Sequence, residues 1–323
     1  MITRRKISVV PIAYKDEGNV AELYRRLSLS LKKITPHYEI IYVNDASPDK
    51  SQEILQKLAK KDKKLTVVLH SRNFGAQNAF TTGMKMATGD AVVIMDGDLQ
   101  DPPELIEKFV EKWLKGNDVV YGSRRKREKS MGRFWEAIYH TFYVVFNKLS
   151  YVKVPLDAGD FSLMDRKVVD QINSLPEKDR FIRGLRAWVG FKQVAVPYTR
   201  PERFSGSGVS TNSFLKGLQW ARRAIFSFSY APLEWVFYVA FLSLIVSLLA
   251  AIFYLATYFF VPGVPRGFMT IIVAVLFLGS VQLIMLSIIS EYIRRVFEEV
   301  KSRPVSIVQK VINPPKKHKT ERK

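Results

Sequence analysis

In the first part of the chain the hydrophobic positions fall in short runs rich in β-branched residues. These are Ile7 to Ile12, Glu39 to Val43, Leu65 to Leu69, Ala91 to Met95 and Asp118 to Tyr121. Runs of this length, bounded by polar and turn residues, predict buried strands. Between them, apolar residues recur at helical spacing over Val20 to Ile34, Ser51 to Lys61, Ala76 to Ala87 and Pro103 to Lys115. The last pattern opens on Pro102 and Pro103 with Glu104 in its first turn, a favourable helix start. Alternating strands and helices, with little polar alternation inside the strands, predict a mostly parallel sheet covered on both faces.

Past Tyr121 the pattern changes. Trp135, Tyr139, Phe142, Tyr143 and Phe146 form one apolar stripe within Arg133 to Leu149. Phe214, Leu218, Ala221, Ile225 and Phe228 form another, edged by Lys216, Arg222 and Arg223 and preceded by the Gly/Ser-rich stretch Ser205 to Gly208. A single stripe of this kind is equally a core helix, but two aromatic, basic-edged ones just before long apolar runs predict interfacial helices. Trp235 to Pro265 and Gly267 to Ser290 contain no charged residue. Each exceeds the roughly 20 residues a helix needs to cross a hydrocarbon core, and the short Val261 to Arg266 turn makes them an antiparallel hairpin. Arg222 and Arg223 precede the first run and Arg294, Arg295 and Lys301 follow the second, against one Arg in the turn. This asymmetry predicts a multi-pass protein of the plasma or inner membrane with both ends and the soluble part in the cytoplasm. Ile7 to Tyr14 is cut short by Lys15 and Asp16 and lacks a cleavage site, so no signal peptide is expected. The expected organisation is a donor-side half over 1–130, an acceptor-side half with interfacial helices over 131–230, two spans within 231–293 (about 233–260 and 268–290), and a basic tail over 294–323.

Composition narrows the chemistry. The 323 residues carry 50 Lys plus Arg against 30 Asp plus Glu, a net charge of +20, and 47% are hydrophobic, which excludes a disordered chain. With no cysteine there is no disulfide, thiolate zinc site or cysteine nucleophile. His37, His70, His140 and His318 are scattered, and neither a G-x-S-x-G elbow nor a glycine-rich phosphate loop occurs. The basic run Lys316 to Lys323 reads as a solvated end ahead of a lipid-binding segment. Phe161 and Trp188 read as core.

Asp96 to Pro103, DGDLQDPP, directly follows the fourth strand. Ligands of open α/β sheets bind outside the carboxyl ends of strands. Two carboxylates one residue apart there supply half the shell of a hard cation, leaving the rest to a diphosphate. The plainer alternative is an acidic turn with Asp101 capping a helix. Asn44 to Asp49 (NDASPD) follows the second strand and Ala13 to Glu17 the first, so Asp45, Tyr14 and Glu17 open on the same edge. Singly these are turn or cap residues; together they outline a nucleotide pocket.

VVPIAYKDEGN (Val9 to Asn19), NDASPD, RNFGAQNA (Arg72 to Ala79), DGDLQDPPELI (Asp96 to Ile106), VVYGSR (Val119 to Arg124), DAGDFSLMDRKVVD (Asp157 to Asp170) and RFIRGLRAWVGF (Arg180 to Phe191) occur in order. In this series the chain closely resembles family 2 glycosyltransferases with a GT-A fold, in particular polyprenyl-phosphate glycosyltransferases of the GtrB-like and dolichol-phosphate mannose synthase-like group. The resemblance implies an α/β, Rossmann-like GT-A domain with interfacial helices and a two-helix transmembrane hairpin. It implies transfer of one sugar, with inversion, from a nucleotide-sugar donor, UDP ahead of GDP, to undecaprenyl or dolichyl phosphate. Mg²⁺ or Mn²⁺ is the implied cofactor, membrane lipids and a possible homo-oligomer (a tetramer by resemblance) the implied partners, and nucleic acid is not among them. Carried over by position, Asp96, Asp98 and Gln100 resemble the metal and donor-phosphate site. Pro11, Tyr14, Glu17, Asp45, Gly97 and Arg203 resemble donor contacts. Arg124 and Arg133 resemble ligands of the acceptor phosphate, and Asp157 a base or sugar-orienting group. The chain departs from the family pattern at Asn44, at Tyr14-Lys15-Asp16 and over Ser205 to Ser210.

A phosphomonoester with a second pKa near 6 needs little help from a base, so arginine becomes the required residue. Arg124, Arg125, Lys126, Arg127 and Lys129 close the fifth strand, where the bland reading is a solvated basic loop near anionic lipid. Two other functions compete. A processive polysaccharide synthase needs a Gln-x-x-Arg-Trp element, and Gln219-Trp220-Ala221-Arg222-Arg223 falls one residue short of it. A non-enzymatic membrane-tethered binder would explain the charge but not the acidic strand-end cluster.

Overall fold

The computed structural model describes residues 1–124, 158–201, 204–205, 229, 231–260 and 267–315. The two aromatic stripes, the basic residues Arg125 to Lys129, the 261–266 turn and the Lys316 to Lys323 run lie outside them.

The chain forms two units. The first is built on a sheet of β1 (Ile7–Ala13), β2 (Tyr38–Asn44), β3 (Leu65–His70), β4 (Ala91–Met95), β5 (Val119–Arg124), β6 (Ala158–Asp165), β7 (Gln193–Tyr198) and β8 (Val308–Ile312), in the order β7-β5-β6-β4-β1-β2-β3-β8. β3, β2, β1 and β4 are parallel neighbours, as are β5 and β7, whereas β6 and β8 run antiparallel to their neighbours. This is the mixed, mostly parallel α/β sheet expected of a GT-A fold. Helices α1 (Glu17–Ile34), α2 (Ser51–Lys61), α3 (Ala76–Met86) and α4 (Leu105–Leu114) form where the periodicity predicts them, followed by α5 (Arg166–Ser174) and α6 (Ile182–Trp188).

Alternation along each strand divides the core. Ile7, Val9 and Ala13 of β1, with Ile40 and Tyr42 of β2, join one apolar cluster with Leu23, Leu27 and Leu31 of α1, Leu55 of α2 and Phe109 of α4. Val10 faces the other way, onto α3, where a side chain at Gly83 would overlap its methyl groups. Both faces are thereby covered, which is why these strands read as continuous apolar runs. Phe161 packs against Phe109 at 4.7 Å between ring centres and is buried.

Trp188 is not core: it is 50% exposed. The buried side of the seven-residue α6 is occupied by Ile182 and Leu185, and Trp188 falls off that face at the helix end.

The second unit contains α7 (Ala231–Phe260) and α8 (Phe268–Val300), two helices long and apolar enough to cross a membrane, which touch one another. Ser229 accepts a hydrogen bond from Tyr292 Oη at 2.9 Å through its carbonyl, tying the start of α7 to α8. Two features depart from a tail beginning at 294. α8 continues to Val300, and residues 308–312 return as β8 on the edge of the first unit's sheet. Five residues containing Gln309 and Lys310 are too short and too polar to announce a strand; pairing with β3 makes them one. Asn313 secures the return, donating from Nδ2 to the carbonyls of Ala59 at 2.6 Å and Leu65 at 3.1 Å.

Candidate active site

Because β2, β1 and β4 are parallel neighbours, the loops after them meet at one sheet edge. In each loop a residue other than glycine has positive φ: Lys15 (60°), Ala46 (51°) and Leu99 (61°). Such residues cost on the order of 1–3 kcal/mol each and cluster at functional sites.

Asp16, buried, accepts the Tyr14 N–H at 3.2 Å and the Asn19 side-chain amide at 3.1 Å, which sets the entry to α1. Ser47 Oγ accepts the Lys15 N–H and donates to Asp49; Asp49 accepts the Glu17 N–H, and Glu17 accepts the Lys50 N–H at 3.0 Å. The β1 and β2 loops are therefore stitched into one wall. Tyr14 is half-buried on it, and Pro11 lies buried within β1 opposite Met95 of β4.

Gly97 is the second residue past the end of β4, and any side chain there would collide with the Ile12 carbonyl. The absent side chain lets the acidic loop lie against β1. Asp98 accepts the Gln100 N–H at 3.0 Å and stands 3.8 Å from the Arg200 guanidinium. Gln100 Nε2 approaches the Pro201 carbonyl at 3.5 Å. The Asp101 carboxylate accepts the Tyr198 hydroxyl at 2.7 Å, while Glu104 precedes α4 without a side-chain cap. Burial, then the fields of Asp101, Asp98 and Asp160, push the Asp96 carboxyl up to about 8 against the opposing pull of Arg200. Burial, then Asp16 and Asp98, push the Tyr42 hydroxyl well above its ordinary value.

This concentration of hard oxygen donors suits a divalent cation, which would relieve their repulsion and favour the ionised form of Asp96. Among the described residues no three His, Cys, Asp or Glu side chains converge on one point. Asp96 and Asp98 thus fit a cation that takes its remaining ligands from a diphosphate.

Beyond the acidic loop, Asp160 of β6 receives both Arg183 Nε at 2.9 Å and Nη2 at 2.8 Å, together with Gln77 Nε2 at 3.2 Å. Gln77 in turn accepts the Ile182 N–H at 2.8 Å, so α3, β6 and α6 are joined by one polar cluster. Arg186, fully buried, lies 5.0 Å over the Tyr121 ring, and burial lowers its pKa to about 10.

The structure brings Tyr14, Glu17, Asp45, Asp96, Gly97, Asp98 and Gln100 to one edge, with Arg124 in the last position of β5. Asp157, Arg133 and Arg203 lie outside the described residues. Sequence reasoning missed Arg200, Asp160 and Arg183. Arg200 sits just past β7, a strand whose place beside β5 has no signature in the chain, whereas Asp160 and Arg183 belong to motifs quoted above without being singled out.

Residues 8–172 match the family described as Glycosyl transferase family 2. The uncharacterized glycosyltransferase sll0501 of Synechocystis sp. is 42% identical over 306 residues, covering 94% of each chain. The SfII prophage-derived bactoprenol glucosyl transferase of Shigella flexneri is 37% identical over 308 residues, covering 94% of this chain and 98% of that one. The chain belongs to glycosyl transferase family 2, and it is an enzyme.

Proposed function

We propose that the protein transfers one sugar, with inversion, from a nucleotide-sugar donor to a polyprenyl phosphate at the cytoplasmic face of a membrane. The reading is carried by Asp96 and Asp98 at the carboxyl end of β4, flanked by the β1 and β2 loops. The name of the Shigella flexneri relative, bactoprenol glucosyl transferase, supports a polyprenyl-phosphate acceptor. A UDP-sugar is preferred to a GDP-sugar on the resemblance to bacterial enzymes.

Asp96, Asp98 and Gln100 would hold Mg²⁺ or Mn²⁺, which when bound neutralises charge on the donor diphosphate. Tyr14, Glu17 and Asp45 contact the nucleoside, with Pro11, Gly97 and Arg203 completing the donor side. Arg124 and Arg133 hold the acceptor phosphate. Largely dianionic at neutral pH, that phosphate attacks the anomeric carbon through one oxygen with no proton to lose. The new C–O bond forms as the bond from that carbon to the diphosphate breaks, and the nucleoside diphosphate departs. Asp157 orients the sugar or accepts the proton of the monoanionic fraction.

Val152–Trp220 and Pro304–Lys323 both belong to the α/β unit, which supports two spans that leave and re-enter on one side. Arg294, Arg295 and Lys301 support the cytoplasm as that side.

The test is release of nucleoside diphosphate by the full chain in detergent, with undecaprenyl phosphate, Mg²⁺ and a panel of UDP- and GDP-sugars. Release should require both lipid and metal, and Asp98→Asn should lower turnover by on the order of 100-fold without unfolding the protein. Equal release without lipid phosphate, or with excess chelator, overturns the reading.

A further inference from the structure

β3 ends at His70, whose ring is buried inside the α/β unit. Its Nδ1 lies 2.7 Å from Asp45 Oδ1 and its Nε2 lies 3.0 Å from Thr82 Oγ1. Thr82 Oγ1 is in turn 2.7 Å from Ser306 Oγ, and Ser306 belongs to the segment that joins α8 to β8. Next to it, the Ser71 N–H donates to the Ile307 carbonyl at 3.0 Å, fixing this segment against the end of β3. Asp45 also accepts the Phe74 N–H at 2.9 Å and the Gly75 N–H at 2.7 Å. Four side chains thus run in line from the segment after α8 to the loop after β2.

Proton counting sets the direction of the line. A carboxylate only accepts, so Nδ1–H of His70 donates to Asp45. Thr82 has one hydroxyl proton, and Oγ1 is also 3.0 Å from the Asn78 carbonyl. Either the ring is neutral and Thr82 donates to Nε2, or the ring is an imidazolium that donates to Thr82 while Thr82 donates to Asn78. In both arrangements His70 donates to Asp45, and the Thr82 and Ser306 hydroxyls share one hydrogen bond. A carboxylate offers about four lone-pair sites. Three are taken by Phe74, Gly75 and His70, which leaves one on Oδ2 whose direction the other three determine.

We propose that His70, Thr82 and Ser306 are positioning residues that hold Asp45 for the donor nucleotide, so that the segment emerging from α8 completes the donor half of the site. The proposal rests on the reading of Asp45 as a nucleotide contact given above. Its substrate is the nucleoside part of the donor, through a base or ribose donor group directed at the open lone pair of Asp45.

The full chain in detergent is titrated with UDP, and with GDP in parallel, in Mg²⁺, and KM values for nucleotide sugar and undecaprenyl phosphate are measured separately. The substitutions of His70 separate its two ends. His70→Asn leaves an amide N–H near the position of Nδ1 and keeps the bond to Asp45; His70→Gln reaches toward Thr82 and loses it. His70→Gln should weaken nucleotide binding and raise the donor KM by about 10-fold, the usual loss for one hydrogen bond to a charged group, with the lipid KM unchanged. His70→Asn should restore most of that loss. Ser306→Ala should weaken binding about 2- to 3-fold, and the His70→Gln/Ser306→Ala double variant should be no weaker than His70→Gln alone. If Asp45→Ala binds nucleotide like the wild type, the reading of Asp45 falls and the proposal falls with it. If Asp45→Ala weakens binding while His70→Gln and Ser306→Ala do not, the positioning line alone is overturned. Equal rises in both KM values, or a lower melting temperature with unchanged binding, also overturn it. Ser306 is only half-buried, so its variant gives the answer even if the His70 variants fail to fold.

Discussion

Gly97 leaves no room for a side chain in the acidic loop, because the backbone carbonyl of Ile12 stands where a Cβ would go. A carbonyl inside a parallel ladder cannot step aside as a flexible side chain would, so the loop itself would move, taking Asp96 and Asp98 with it. Gly97→Ala should lower stability by about 1–3 kcal/mol and cut metal-dependent turnover by on the order of 10-fold or more, because small misplacements of reacting groups are costly. A melting curve and donor kinetics like those of the wild type would refute this account. The acidic residues of this loop were legible in the sequence, since a strand-end Asp-x-Asp has few other uses. Their distinct duties were not. Asp101, which the sequence offered as a helix cap, accepts the Tyr198 hydroxyl, a contact made across 97 residues of chain.

At the scale of elements, the edge of the sheet opposite the site is closed by Glu39 at the start of β2. Its carboxylate accepts Ser8 Oγ of β1 at 2.6 Å, the Thr88 N–H ahead of β4 at 2.7 Å, and Lys6 Nζ at 2.7 Å. Burial acts to raise its pKa, but the bonds from Lys6, Ser8 and Thr88 outweigh it and hold the carboxyl below its ordinary value. A depressed folded-state pKa contributes stability that is present above the unfolded-state value and is lost as pH falls through the folded-state one. Glu39→Gln should therefore lower the melting temperature near pH 7, by the equivalent of about 1.5–3 kcal/mol for bonds to a charged group. The gap from the wild type should narrow as the pH falls through the acid range. Thermal unfolding in detergent from pH 7 to pH 3 measures it, and a gap that stays constant would show that the charge of Glu39 contributes nothing. The same scale marks where local pattern gave out. β1 to β5 and α1 to α4 announce themselves by continuous apolar runs and helical spacing, whereas β8 is made a strand by its neighbour.

For the whole molecule the prediction is topological. If α7 and α8 form a membrane hairpin whose flanking segments both rejoin the α/β unit, a reporter fused after Lys323 should be cytoplasmic and one inserted at Gly263 external. The opposite pattern would invert the orientation proposed here. The alternation of strands and helices, the two long apolar helices and the acidic strand end can all be read from the chain alone, because each depends on residues near one another in it. The partners emerge only on folding: Arg200 beside Asp98, Arg183 and Gln77 on Asp160, and Ser306 in line with Asp45. These contacts join residues far apart in the chain, and strand order is what brings them together. No local periodicity records strand order. His70 is the clearest case: in the sequence it is one of four scattered histidines, and its partners come from the loop after β2, from α3 and, through Thr82, from the chain beyond α8.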